Sequence, residues 1–177
     1  MTPFSFETYF ATLIAFLQAT FPTVPTVAEY PRLRKKIEAP AILVELADLT
    51  PLDDAGTEQL CLAARFEARI VFDQVPIAGG NQNLAALSLA ASTALAIYRQ
   101  GRIVAGGAAS AKNFKLEPDQ FKPDLAGYAV WLVEWVHDLR LGASVWDGEG
   151  IRPSTIYVGY APEIGAGNEG RYDEVAP

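Results

Sequence analysis

From Leu60 to Asp73 the chain sorts its side chains with a period of two. Leu60, Leu62, Ala64, Phe66, Ala68, Ile70 and Phe72 share one face; Cys61, Ala63, Arg65, Glu67, Arg69, Val71 and Asp73 share the other. Only a strand places alternate residues on opposite faces. The run therefore predicts a sheet with one face on a core and the other wet or shared. Between Gly127 and Gly142 lies a second strand pattern, rich in aromatics, with Trp131, Val133, Trp135 and His137 on one face. Residues 41–46, bounded by Pro40 and Pro51, read as a buried strand, and Asp53-Asp54-Ala55-Gly56 supplies the turn that pairs it antiparallel with the strand from Leu60.

Two helices accompany these strands. Thr2-Pro3 offers an N-cap and a proline at the first helical position, after which Phe6, Phe10, Leu13 and Leu17 recur at helical spacing, widened by Tyr9 and Phe16. Pro22 and Pro25 end this helix, and an extended linker with the basic run Arg32-Leu33-Arg34-Lys35-Lys36 follows. Asn81 or Asn83 caps the second helix, whose Leu84, Leu87, Ala91, Leu95 and Tyr98 form a stripe and whose alanines permit close approach to a sheet; Gly101 is its C-cap. A polar segment with Lys112, Phe114, Lys115, Phe121 and Lys122 reads as a strand or hairpin arm. Helices and strands in this order do not alternate as a doubly wound fold requires. They predict an α+β domain over residues 1–142: an antiparallel or mixed sheet of four to six strands with two helices packed on one face.

The remaining residues, 143–177, have no core-forming pattern. Trp146, Ile151, Ile156, Tyr157, Tyr160, Ile164 and Tyr172 are scattered among glycines and prolines. They predict an extended C-terminal arm ordered by another subunit, with one short strand around residues 156–160. This arm is also the most acidic stretch: six acidic residues against two basic ones, in a chain whose formal charge is -7.

That charge argues against general affinity for a phosphate backbone. A length of 177 residues fits one domain that buries about 70% of its unfolded surface. The single cysteine, Cys61, excludes an intramolecular disulfide and any cysteine metal knuckle. Glu7 stands where an export signal wants positive charge. The most membrane-like run, residues 84–97, is interrupted by Ser88, Ser92 and Thr93 and is too short for a hydrocarbon core of ~30 Å. A soluble protein is expected.

Chemical motifs are few. Gly165-Ala166-Gly167-Asn168-Glu169-Gly170 matches the dinucleotide pattern in letters, but neither a following helix nor the required downstream acid has room, so it reads as a turn. Gly79-Gly80 precedes a helix without a phosphate-binding lysine and reads as a loop. His137, the only histidine, has no nucleophile placeable beside it and is expected to be structural or interfacial. The competing reading from another class is an enzyme or small-ligand binder with a pocket at His137. A single-strand nucleic-acid binder that uses the interleaved aromatic and basic residues is a third.

The whole layout resembles that of phage tail terminator (tail completion) proteins, and within them the Mu-like phage and prophage family. The resemblance rests on the N-terminal amphipathic helix, the two-strand block, the alanine-rich helix, the polar arm, the strand containing Trp131-Leu132-Val133-Glu134-Trp135, and the segment Tyr157-Val158-Gly159-Tyr160-Ala161-Pro162-Glu163-Ile164-Gly165. It implies a structural protein of the virion, made in the host cytoplasm and sited at the head-proximal end of the tail. There a hexameric ring of identical subunits caps the tail tube and joins it to the head, contacting the tail tube protein and the connector or neck proteins. DNA crosses the lumen without specific binding. No catalytic residue, metal, cofactor or membrane is implied. A neck or head-completion adaptor shares these features and is the nearest alternative. The expected contact elements are Arg32, Arg34, Lys35 and Lys36 in the linker; Lys112, Phe114, Lys115, Phe121 and Lys122 in the arm; and Tyr157, Tyr160, Pro162 and Ile164 in the tail.

Overall fold

In a computed structural model of the chain the described residues are 4–30, 37–53, 56–73, 81–103, 108–119, 125, 127–147 and 155–175. They form α1 (Phe6–Thr20), β1 (Thr26–Glu29), β2 (Ala41–Pro51), β3 (Leu60–Asp73), α2 (Gln82–Gln100), β4 (Lys112–Pro118), β5 (Tyr128–Leu141), β6 (Ile156–Val158) and β7 (Asp173–Val175). The chain divides into two compact units, Met1–Ser144 and Val145–Pro177.

The first unit is an α+β fold built on a mixed sheet of order β1-β2-β3-β5-β4. Its centre is the pairing of β3 with β5, antiparallel from Leu60 opposite Leu141 to Asp73 opposite Tyr128. Register puts Phe66 opposite Trp135 and Ala64 opposite His137, so the alternation of both strands aims their bulkiest side chains at one face. β2 pairs antiparallel with β3, through a bulge between Leu46 and Asp48. β1 pairs parallel with β2 and lies in what the sequence suggests is a linker.

Both helices pack on the face that carries Phe66 and Trp135, contributing Tyr9, Leu13, Leu17, Ala90, Ala94 and Ile97 to one buried cluster with Ile42, Val44, Ile70, Val133 and Leu139. The N-cap of α1 is Ser5, whose hydroxyl accepts from the Thr8 amide at 3.3 Å; the Thr2-Pro3 cap lies outside the described residues. Tyr9, Leu13 and Leu17 form the fully buried line of α1, with Phe6 and Phe10 half-buried beside it. Tyr9 takes the centre because its ring stacks on Phe66 at 4.3 Å while its hydroxyl accepts from the Trp135 indole at 3.0 Å. Its polar end is thereby satisfied inside the core.

α2 reverses the expected importance of its residues. Ala86, Ala90, Thr93, Ala94 and Ile97 are buried, whereas Leu84, Leu95 and Tyr98 are exposed. Small side chains let the helix approach the sheet, and the leucine stripe faces outward. Asn81 is the N-cap, accepting from the Leu84 amide at 3.2 Å, and Gly101 closes the helix at φ +64. Asn81→Ala is expected to cost about 1 kcal/mol, which lowers the melting temperature by ~2–4 °C, checked by thermal denaturation followed by circular dichroism.

The second unit contains the short strand expected around residues 156–160, and adds a second strand that pairs with it. β6 and β7 pair antiparallel, Ile156 opposite Val175. Tyr172 organises this hairpin: its hydroxyl accepts from the Gly165 amide at 2.7 Å, and a Cβ on Gly159 would fall 2.5 Å from its ring. Only glycine fits at that position. Gly165 and Gly167 have φ of +89 and +95, so the dinucleotide-like letters form turns.

Candidate functional site

The second face of the main sheet, away from the helices, carries a row of charged side chains. Register aligns Glu45 of β2, Glu67 of β3, Glu134 of β5 and Lys115 of β4 in one row across four strands. Three carboxylates directly opposite one another repel. Two arginines, one step of the alternation to either side on β3, offset this. Arg69 binds Glu45, Glu67 at 2.5 Å and Asp119 at 2.8 Å, and its guanidinium lies 5.2 Å from the Tyr30 ring centroid. Arg65 binds Glu67 at 2.7 Å and reaches Glu134 at 3.6 Å.

The Arg69 side chain is only 4% exposed. Burial works against its charge, but Glu45, Glu67 and Asp119 outweigh that and hold its pKa above the usual value. Beside this ladder a small apolar cluster of Ala41, Leu43, Val71, Leu125 and Val130 covers the same face. The face expected to be wet or shared is therefore buried around Arg69 and Glu67 and open to water at Arg65 and Lys115.

His137 is fully buried on the helix side. Its ring meets Tyr9 and Phe66 edge-on at 5.4 and 5.8 Å, and its Nδ1 lies 2.8 Å from the Ala109 carbonyl oxygen. Among the described residues Nε2 finds no hydrogen-bond partner. Burial pushes its pKa below the ordinary value, only partly offset by the Ala109 carbonyl and the Asp138 carboxylate. The unfolded chain therefore binds this proton more readily than the folded one. The contribution is fully present above pH ~6.5 and is lost as pH falls through that value, at up to ~1.4 kcal/mol per pH unit. Because His137 is the only histidine, His137→Phe is expected to flatten the stability profile between pH 7 and pH 5.5, measured by urea denaturation across that range.

The expected contact residues fall in three settings. Arg32, Arg34, Lys35, Lys36, Phe121 and Lys122 lie outside the described residues. Lys112–Pro118 is an edge strand of the main sheet: Lys112 pairs with Asp138 at 2.5 Å, Lys115 with Glu117 at 2.7 Å, and half-buried Phe114 meets Tyr98 edge-on at 6.0 Å. Tyr157, Tyr160, Pro162 and Ile164 are exposed on the second unit. Sequence reasoning missed the charge ladder, whose one signal was the charged triplet Arg65, Glu67, Arg69 on a single strand face.

Among the described residues no group of three or more His, Cys, Asp and Glu is gathered to hold a metal ion. Nor is any described helix long and apolar enough to cross a membrane. Compared with known proteins, the chain matches no family model and no curated sequence.

Proposed function

We propose that this chain is a structural assembly subunit: a phage tail terminator that closes into a homo-oligomeric, hexameric ring, caps the tail tube and joins it to the head. The observation that carries this reading is the exposure of the second unit's apolar side chains. Trp146 is 79% and Tyr160 is 69% exposed, with Tyr157 and Ile164 also more than half exposed. A monomer gains nothing by holding so many large apolar groups in water on one small unit, whereas a subunit interface uses them. The α+β layout and the order of its elements, which resemble those of tail terminators, support the same reading.

The mechanism is geometric. Each subunit offers different patches to its two neighbours, so the contacts are heterologous and a suitable rotation closes them into a ring. One ring face matches the last ring of the tail tube protein, and the other meets the connector or neck proteins. The acidity of the chain, at -7, suits a lumen that DNA crosses without being retained. Sedimentation velocity tests the association: a ring that builds with concentration is expected, and a monomer at every concentration contradicts it.

A further inference from the structure

We propose that the outward face of α2 is a two-fold contact between two copies of this chain. Leu84, Leu95 and Tyr98 on that face are 58%, 46% and 65% exposed, and the exposed residues between them, Ser88, Ala91 and Ser92, are small. From Gln82 to Tyr98 the helix carries no charged residue, and Arg99 is its only one. A solvated helix face is ordinarily rich in charge, which keeps it apart from its own copies.

The pattern of this face fits a second copy of itself. When two copies of α2 lie antiparallel about Ala91, each residue meets the one equally distant on the other side. Leu84 then meets Tyr98, Leu87 meets Leu95, and Ala91 meets its own counterpart. Arg99 meets Asn83, an uncharged amide, so no like charges oppose. The small central residues let the backbones approach, the large ends pack around them, and the helix dipoles run in opposed directions. Tyr98 is held in place for this by its edge-on contact with Phe114.

The sheet edges offer a poorer route to association. β4 carries Lys112 and Lys115, a register shift between them, and Pro118; β1 is four residues long. Lysines, bulges, prolines and short edges each discourage edge-to-edge pairing. The α2 contact is isologous, so it is additional to the heterologous contacts of a ring and stands whether or not the chain acts on a tail.

Full-length Ala91→Cys tests the geometry, because a two-fold at that position brings the two introduced thiols within disulfide range. Mild oxidation is expected to give a disulfide-linked dimer of Ala91→Cys and little of Leu84→Cys, whose residue faces Tyr98; native Cys61 is buried. Leu95→Glu is expected to abolish the dimer in sedimentation velocity while leaving helicity unchanged. Equal linking of the two cysteine variants overturns the proposal, as does an unchanged mass for Leu95→Glu. An unchanged free mass together with lost binding to tail tubes would assign the face to a different partner and overturn it equally.

Discussion

Arg69→Ala is expected to destabilise the first unit by ~3–5 kcal/mol, a large share of the ~5–15 kcal/mol that holds a typical domain folded. The guanidinium is nearly inaccessible and answers Glu45, Glu67 and Asp119 at once. Removing it takes away the cation that joins these three carboxylates of β2, β3 and the residue after β4, while Arg65 still reaches Glu67 from the other side. Desolvated like charges then repel in a region where water screens them poorly. A second change separates this cause from simple loss of packing. Arg69→Ala with Glu67→Gln removes one carboxylate charge as well, and is expected to recover ~1–2 kcal/mol relative to Arg69→Ala alone. Urea denaturation of the four members of the cycle measures both terms. A loss under ~1 kcal/mol for Arg69→Ala would show that the network contributes register without stability.

Ending the chain at Ser144 is expected to leave a folded protein that no longer closes into a ring. Both buried hydrophobic clusters draw on residues before this point, and the contact boundary between the units falls immediately after it. The truncated chain should therefore keep a cooperative melt and native helical content, as small single domains do. What it loses is the exposed set Trp146, Tyr157, Tyr160 and Ile164, together with the acidic stretch that carries them. Interface energy concentrates in such aromatic anchors. Size-exclusion chromatography with light scattering distinguishes a product no larger than the α2-paired dimer from ring-assembled wild type. A truncated chain that fails to fold would show that residues beyond Ser144 belong to the core, and the assembly role given to them would fall.

The parts of the fold that the sequence made legible are those whose residues repeat at the period of their own element. β3 and β5 alternate for their full length, and their bounds and core face follow from that pattern, while the antiparallel partnership of β2 followed from the turn residues between it and β3. Asn81 and Gly101 marked the ends of α2 through cap chemistry that acts locally. β1 escaped because Thr26-Val27-Ala28-Glu29 is too short to show a period and is a strand only because β2 pairs with it. The outward face of α2 was hidden for a different reason. Size and hydrophobicity single out Leu84, Leu95 and Tyr98, yet close packing on a sheet selected the alanines. The charge ladder needs the register of four strands before Glu45, Glu67, Glu134 and Lys115 become neighbours, and no local pattern carries that. The hairpin of the second unit depends on Tyr172 meeting Gly159, a contact set by the turn between them.

The central claim, a ring that ends a tail tube, is tested most directly by electron microscopy of the purified protein added to polymerising tail tubes. Rings of the protein seated on one end of tubes that have stopped growing are the predicted result. Tubes that lengthen as they do without the protein, beside free monomers, would contradict it.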